Sequence, residues 1–432
     1  MENTNKFKLV LMSVFGFFII LGLLSFATFR SNNSANSQVN VSIWGIVDKS
    51  IFDNFISKYQ QDKNVELKLT YTQKSISTID GDLVEAIATG KEPDVILVPQ
   101  EIMKRYLDKV SLITSIPQRT FLDTYVQEAQ LYVQPGGMFA VPFFVDPMVM
   151  YWNKDIFSSA AIANPPKTWS EFPLLVNKLS TIDRNGNITQ SAASFGEYTN
   201  VNNVKALLST LIIQAGSPIV TIDGSSGSFT SNLYDKSTND VLIPAVSAMT
   251  FFTDYSNPKK SVYSWNRSLP SSKNFFLSGN LATYFGFASE AADLANKNPN
   301  LNFDVTMVPQ TLNATTKTTF GELYGFAFLK SSPNNTDAFD LVSVLTGPDA
   351  VSEFLQFYGA APARNDLIAA GTLDPQKTIF YNSALIAKGW VDPNMDTTNT
   401  IFQSMVDDIT TGNLDVNSSV QKADTELRTA LQ

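Results

Sequence analysis

The chain is 432 residues long, with 44% hydrophobic residues, 16% charged residues and a formal net charge of −9. This length predicts two folded lobes, and the acidic balance argues against nucleic acid or an anionic lipid surface as the main partner. Because there is no cysteine and no histidine, disulfides, thiol nucleophiles, thiolate zinc sites and imidazole acid–base chemistry are excluded. We expect neither a cofactor nor a metal site.

The amino-terminal segment carries the signals of membrane targeting. Lys6 and Lys8 precede an uncharged run over Leu9–Phe29, about 21 residues, which spans about 31 Å as a helix against roughly 30 Å of hydrocarbon core. Positive residues before such a run place the remainder of the chain outside the cytoplasm. We therefore predict an N-terminal transmembrane helix, with residues 1–38 comprising a cytoplasmic stub, the anchor and a solvated tether. The alternative is a cleaved signal peptide, because Ser25-Phe26-Ala27 offers small residues at the spacing that cleavage requires.

Beyond the tether, alternating patterns predict a β-α-β-α-β series. The strands are expected at 39–44, 65–71 and 95–98, and the helices at 50–62 and 83–89. Strands joined by helices favour a parallel α/β sheet, in which ligands lie beyond the carboxyl ends of the strands. The positions there are Trp44, Gly45 and Asp48 after the first strand and Pro99, Gln100 and Glu101 after the third.

Two turns rich in Gly, Asn, Asp and Ser follow, at 183–187 and 223–227. The first is similar to the start of a calcium loop, but its Gly186 falls at the fourth position, whereas an EF-hand loop requires glycine at the sixth. We therefore expect a hairpin turn there.

The stretch from Gly137 to Phe172 is the most informative part of the chain. Its apolar strand pattern ends in aromatic residues around one carboxylate, Asp146, and a helix-start signal follows at Pro165–Phe172. Aromatic faces can stack on the apolar face of a pyranose while a carboxylate accepts hydroxyl protons. The segment therefore predicts one wall of a site for a polar, ring-shaped ligand.

These motifs resemble extracellular solute-binding protein family 1, the maltose-binding-protein-like sugar-binding proteins of ABC transporters. The family pattern is a strand, an acid, Y-N-K-D and then P-P-K-T-W-x-E-hydrophobic, and this chain has Y-W-N-K-D at 151–155 before Pro165. Residues 274–286 correspond to the family's F-x-x-G-x-x-A-M-x-x-x-G motif, 320–329 to its glycine-rich returning strand, and 358–367 to its G-x-x-P-x-R turn.

The resemblance implies an α/β, two-lobe, periplasmic-binding-protein-like II fold with a hinge, preceded by the N-terminal transmembrane helix. The implied boundaries are 39–146 plus 322–352 for lobe 1 and 147–321 plus 353–432 for lobe 2. Because the chain would cross between the lobes several times, the lobes would be joined by a hinge rather than by a single linker.

The resemblance also implies ligand contacts. Asp146 would bind sugar hydroxyls, with a helix cap or an interlobe ion pair as the alternative, and Tyr324 would stack on the ring, with core packing as the alternative. Phe144, two residues before Asp146 on the same strand, should share its side of the sheet. The remaining candidates are Glu197, Tyr198, Phe285, Phe287, Trp44, Gln100 and Arg364.

Three of these positions depart from the family. Gln100 stands where relatives often present a carboxylate, which leaves the identity of the sugar open. Phe285 and Phe287 follow a strand where relatives have Trp or Tyr, so the ligand is expected to be smaller or less polar.

The implied function is a monomeric extracytoplasmic receptor, tethered to the membrane by its N-terminal helix, that captures a mono- or oligosaccharide and delivers it to the permease subunits of an ABC transporter. It would not be an enzyme, and no residue is expected to be catalytic. One alternative is a receptor ectodomain that presents ligand in signalling or adhesion. The other is a glycosidase using Asp146 and Glu197, because paired carboxylates are the acid–base device that remains without histidine.

Overall fold

The computed structural model describes residues 39–224, 226–235 and 243–432, and Val41–Gln432 form one compact unit. The predicted transmembrane helix, the alternative signal peptide and the tether lie in residues 1–38, outside the described residues. Within the described ranges, no helix is long and apolar enough to cross a membrane.

Fifteen strands are present in the described ranges. They are β1 (Val41–Gly45), β2 (Leu69–Gln73), β3 (Val95–Pro99), β4 (Val110–Ser111), β5 (Val133–Gln134), β6 (Gly137–Met138), β7 (Val141–Asn153), β8 (Thr181–Ile182), β9 (Ile188–Ala193), β10 (Val220–Ile222), β11 (Phe229–Ser231), β12 (Leu281–Phe287), β13 (Phe303–Met307), β14 (Gly321–Leu329) and β15 (Ala361–Pro362).

The α-helices of the described part are α1 (Lys49–Lys63), α2 (Ile79–Thr89), α3 (Met103–Tyr106), α4 (Gln118–Thr124), α5 (Lys154–Ser159), α6 (Phe172–Leu179), α7 (Val204–Ala215), α8 (Pro244–Asp254), α9 (Ser272–Leu277), α10 (Glu290–Lys297), α11 (Asn335–Leu345), α12 (Pro348–Phe357), α13 (Asn365–Ala370), α14 (Pro375–Leu385), α15 (Met395–Thr410) and α16 (Val416–Leu431). Short 3-10 helices lie at Gln100–Ile102, Gln127–Tyr132 and Trp169–Glu171.

One mixed sheet organises the molecule, with the order β2-β1-β3-β14-β7-β12-β9-β8. Strand β1 is parallel to both β2 and β3, which confirms the predicted β-α-β-α-β start. The second strand begins at Leu69 instead of 65, because the preceding residues complete the end of α1. The N–H of Val65 donates to the carbonyl of Gln60, and the N–H of Leu67 donates to the side-chain carbonyl of Gln60.

Strand β7 joins the two halves of this sheet. Its first half pairs with β14 and β15, and its second half pairs with β12 and β13. Twelve of its 13 residues are buried, as expected for a strand covered on both faces.

Two other local predictions hold. The helix-start signal forms a capping box between Thr168 and Glu171, and α6 follows it directly. The turn at 183–187 closes the antiparallel hairpin β8–β9, where the carboxylate of Asp183 accepts the N–H groups of Asn185 and Asn187. The turn at 223–227, apart from Ser225, which lies outside the described residues, closes the hairpin β10–β11.

Asp94 ties the start of the sheet to the end of β14. Its buried carboxylate accepts hydrogen bonds from the N–H of Ser42 at 2.7 Å, from the hydroxyls of Ser42 and Ser332 at 2.8 and 2.6 Å, and from the amide of Asn334 at 3.0 Å. Burial would raise the pKa of Asp94, but these hydrogen bonds together lower it below the usual value.

We predict that Asp94→Ala lowers the free energy of unfolding by about 3 kcal/mol, because it leaves several buried donors without an acceptor. Urea unfolding at pH 7 measures this. Because the folded-state pKa is lowered, the contribution of Asp94 is present above about pH 4 and is lost as the pH falls through the folded pKa. The control Asp53→Ala, at a half-exposed pair with Lys49, should change stability by less than about 0.5 kcal/mol. Equal losses in the two variants would contradict the prediction.

Candidate functional site

The ladder between β7 and β14 places four side chains on one face. Phe144 pairs with Tyr324 and Asp146 pairs with Glu322. Residues directly opposite in a ladder point to the same side, as do residues two apart on one strand. We call the side defined by Phe144, Asp146, Glu322 and Tyr324 the front face of the ladder, and the opposite side its reverse face. The rings of Phe144 and Tyr324 stack, with centroids 4.4 Å apart and planes at 14°.

Asp146 lies within this face and is only 3% exposed. Its Oδ1 accepts the N–H of Ser289 at 3.0 Å. Burial raises the pKa of Asp146 to about 7, although the hydrogen bonds from Ser289 oppose the rise. At neutral pH this carboxyl group therefore exists in both protonation states, and it can both donate and accept a hydrogen bond.

Glu322 extends the acidic character of the front face. Its Oε2 accepts the hydroxyl of Tyr324 at 2.8 Å. Burial raises its pKa well above the usual value, and the nearby carboxyl groups of Glu101 and Asp146 raise it further. Phe144 is fully buried, and its ring also packs against those of Phe354 and Tyr358. The stacked pair and the two acids thus form one connected, largely buried cluster of polar and aromatic groups.

A cavity of about 540 Å³ opens beside Glu322. Its walls come from both halves of the sheet: Glu101 follows β3, Lys205 lies on α7, and Phe287 ends β12. Tyr198 also lines the cavity, and its hydroxyl donates to the side-chain oxygen of Asn399 at 3.2 Å. This size is within the range of small-molecule sites.

Lys205 is the one cation among the residues that line this cavity. Its ammonium lies 2.7 Å from Asp392 Oδ2 and 3.3 Å from Glu101 Oε1. Burial alone would lower the pKa of Lys205, but the two carboxylates raise it above its usual value. Because Asp392 is the closer partner, Glu101 is less well compensated, and burial raises the pKa of Glu101.

The structure brings together five of the ten predicted site residues. Tyr198 and Phe287 line the cavity, while Phe144, Asp146 and Tyr324 form the front face beside it. The ring of Phe287 also meets that of Phe320 edge-on at 6.3 Å.

Three other predicted residues are engaged elsewhere. Phe285 is buried against Trp169, Phe172 and Phe195 in an aromatic core cluster. Glu197 accepts from the guanidinium of Arg267 at 2.7 Å, and Trp44 lies under the ammonium of Lys74, 3.8 Å from the ring centroid.

Arg364 and Gln100 make contacts within the protein. Arg364 binds Asp366 through two nitrogens, at 3.0 and 2.7 Å. The side-chain amide of Gln100 is fully buried, where it donates to the carbonyl of Gly321 at 3.0 Å and accepts the N–H of Leu323 at 2.5 Å. Gln100 thus continues the ladder beyond Pro99 and holds β14 in place.

The cavity contains three charged residues outside the ten predicted contacts, and the sequence analysis named one of them, Glu101, only as a position beyond the third strand. Glu101 directly follows Gln100, and the position of Glu322 two residues before Tyr324 puts it on the same face by strand alternation. Lys205 is the single charged residue of the helix α7, whose sequence is VKALLSTLIIQA. A lone lysine in an apolar helix is a signal for a buried, paired charge. Within the described residues, no group of three or more acids is placed to hold a metal ion.

The sheet order and the cavity beside its central ladder define an α/β periplasmic solute-binding protein fold. A solved structure with the same fold is the ABC transporter solute-binding protein of Thermotoga lettingae, bound with α-D-tagatose. Its TM-score is 0.69 at 18% sequence identity, and the match covers 91% of this chain and 99% of that one.

The sequence profile of the bacterial extracellular solute-binding proteins matches residues 44–352, and the chain belongs to this family. This places the chain among proteins that bind solutes rather than among enzymes, and it removes the glycosidase alternative. Candidate binding proteins of Brucella abortus and Brucella suis are 21% identical over 246 residues, which is 57% of this chain and 55% of each relative. The chain thus spans about half the length of these curated relatives.

We predict that Asp146 makes stability fall as the pH rises from about 4 to 7. Its pKa is about 7 in the folded chain and about 3.9 in an unfolded one, so the folded state holds the proton more tightly. The stabilisation is complete below about pH 4 and is lost as the pH rises through 7, at up to about 1.4 kcal/mol per pH unit.

Urea unfolding of wild type and Asp146→Asn across this pH range measures the effect. The stability of the variant relative to wild type should rise between pH 4 and 7. Asp62→Asn, at the exposed pair with Lys58, is the matched control. Its free energy of unfolding should change with pH as that of wild type does. A constant difference between Asp146→Asn and wild type would show that the carboxyl group of Asp146 titrates normally.

Proposed function

We propose that this protein captures a mono- or oligosaccharide between two lobes and delivers it to an ABC import permease. The observation that carries the proposal is the front face of the ladder, where the stacked pair Phe144–Tyr324 lies beside the carboxyl groups of Asp146 and Glu322. An aromatic ring such as that of Tyr324, next to acidic hydrogen-bonding groups, suits a pyranose, which has an apolar face and a rim of hydroxyls.

The proposed lobes are residues 39–146 plus 322–352 and residues 147–321 plus 353–432. Strand β7 would serve as the hinge, because its first half pairs with β14 and β15 and its second half pairs with β12 and β13. A sugar that touches Glu101 on one side and Tyr198 or Phe287 on the other binds the closed state better than the open one, and this difference in affinity drives closure. The ion pair between Lys205 and Glu101 would add a contact that forms on closure.

The remaining parts of the proposal concern location and partners. The receptor would act as a monomer outside the cytoplasm, tethered by the predicted N-terminal helix, with permease subunits as its partners. Membership in an extracellular solute-binding family supports this location. Two permease genes beside its own gene would support import, whereas a neighbouring sensor kinase gene would favour a role in ligand presentation.

We predict that the purified chain binds at least one saccharide with a dissociation constant near 1 μM, about −8 kcal/mol. Isothermal titration calorimetry with a glycan panel measures this. The panel should include amino sugars as well as neutral sugars. The carboxyl groups around the cavity outnumber its one ammonium, that of Lys205, so a positively charged sugar would be favoured. Asp146→Asn should weaken binding by about tenfold or more, which corresponds to the loss of one buried charged hydrogen bond.

Two further variants, both at Tyr324, separate the contribution of its ring to sugar binding from that of its hydroxyl group. Tyr324→Leu removes the stacking ring and should weaken binding more than Tyr324→Phe, which removes only the hydroxyl bonded to Glu322. Asp62→Asn should bind like wild type, and no variant should release a cleaved sugar. The absence of heat with every saccharide, or equal affinity in Asp146→Asn and wild type, would refute the proposal.

A further inference from the structure

Asn203 has an unusual conformation at the edge of the cavity beside Glu322. It directly precedes α7, and its backbone is left-handed, with φ of 54° and ψ of 26°. Of the five non-glycine residues with positive φ in the described part of the chain, Asn203 is the one that lines this cavity. Residues held in such sparsely populated conformations cluster at binding sites.

The side chain of Asn203 does not do what asparagine usually does at this position. An asparagine at the start of a helix commonly caps it, because its side-chain oxygen accepts an N–H of the first turn. Within the described residues, Asn203 makes no such bond to α7. Its amide is instead used elsewhere.

The orientation of this amide is fixed by two neighbours. Its Nδ2 donates to Glu290 Oε1 at 2.6 Å and to the hydroxyl of Tyr284 at 3.2 Å. The Tyr284 hydroxyl donates to Glu290 Oε2 at 2.8 Å, so its lone pairs are available to Asn203. A reversed amide would place its oxygen against the carboxylate, and neither of those groups has a proton to donate.

Glu290 is itself held firmly. Its carboxylate also accepts the ammonium of Lys273 at 2.7 Å and the N–H of Phe287 at 3.0 Å. A Cβ atom on Gly286 would lie 2.7 Å from Glu290 Oε1, so β12 leaves room for this carboxylate because residue 286 is glycine. Glu290 thus ties the end of β12 and helix α9 to the start of α7.

The side-chain carbonyl of Asn203 is the part of the amide that remains for a ligand. In the described part of the chain, the hydrogen bonds of this side chain are the two that Nδ2 donates. These point away from the cavity, because Tyr284 is fully buried behind its wall, whereas Asn203 is half-buried and lines it. A carbonyl oxygen accepts hydrogen bonds and cannot donate them, so it suits a hydroxyl group.

We propose that Asn203 contacts the ligand of the sugar site, with Oδ1 accepting a saccharide hydroxyl, and that Glu290 and Tyr284 are positioning residues that fix its amide. This assignment rests on the proposed function and adds a contact to the ten that the family resemblance implies. Because the amide is oriented before the sugar arrives, little ordering is required when the sugar binds.

The test is isothermal titration calorimetry of the full chain with D-glucose, D-galactose, D-xylose, maltose and cellobiose, the neutral members of the glycan panel. The variants are titrated with the sugar of this set that wild type binds most tightly. Asn203→Gly should fold, because glycine adopts the left-handed conformation freely. It should lose about fivefold or more in affinity, as expected for one hydrogen bond.

Asn64→Gly is the matched control. Asn64 follows α1 and has a similar backbone, with φ of 51° and ψ of 47°, but it lies away from the described lining of the cavity. Its replacement makes the same change in backbone freedom, and sugar affinity should stay within about twofold of wild type.

Tyr284→Phe tests the positioning role, because it removes one support of the amide and leaves Glu290 in place. It should weaken binding of the same sugar by a smaller factor than Asn203→Gly does. In the double variant it should cause no further loss, since Tyr284 acts through Asn203. A merely structural role of Tyr284 would reduce affinity by the same factor in both backgrounds.

Wild-type affinity in Asn203→Gly, or equal losses in Asn203→Gly and Asn64→Gly, would overturn the assignment of Asn203 and leave the sugar-binding proposal intact. A full additional loss from Tyr284→Phe in the Asn203→Gly background would overturn the positioning role. Absence of binding by wild type to every saccharide of the panel would refute the proposed function, and the assignment with it.

Discussion

The antiparallel ladder between β7 and β14 is the constraint on which the rest of the site depends. Its register pairs Asp146 with Glu322 and Phe144 with Tyr324, so alternation gathers these four side chains on the front face. The same alternation turns Gly321 toward the reverse face, where Glu128 fills the space that a side chain would occupy. A shift of one residue in this register would exchange the two faces and remove the acids from the cavity.

The features predictable from sequence are those that depend on local periodicity. Phe144 and Asp146 share a face because they are two residues apart on one strand, and the capping box at Thr168 forms from side chains three residues apart. The selection of Gln100 rested on a family position, and the structure instead directs Glu101, the next residue, into the cavity. The role of Gln100 depends on β14, more than 200 residues later in the chain, and local pattern carries no information about such a partner.

The charges around the cavity beside Glu322, which we call the front cavity, are unbalanced. This imbalance affects which ligands the front cavity can bind. Glu101, Asp392 and Glu322 are the acids that interact with a single ammonium, that of Lys205, and Asp146 lies opposite Glu322 in the ladder. Burial of several acids around one cation is unfavourable in the ionised form. Burial is the main cause of the raised pKa values of Asp146, Glu101 and Glu322, and neighbouring carboxyl groups raise them further. A ligand with several hydroxyl donors, or with a positive charge, relieves this imbalance, whereas an anionic ligand would increase it.

The two faces are coupled through shared structure. Lys205, the second residue of α7, lines the cavity beside Glu322, and Ile213 near the end of the same helix lines a cavity of about 740 Å³ on the reverse side of the ladder. Gln100 and Glu128 both lie against Gly389. A movement of α7 during the proposed closure would therefore change the walls of both cavities. A Cβ atom on Gly389 would lie 2.6 Å from Gln100 Nε2 and 2.8 Å from Glu128 Oε1. Because Gln100 holds β14 through Gly321 and Leu323 and Glu128 packs against Gly321, any side chain at position 389 would disturb two supports of the ladder at once.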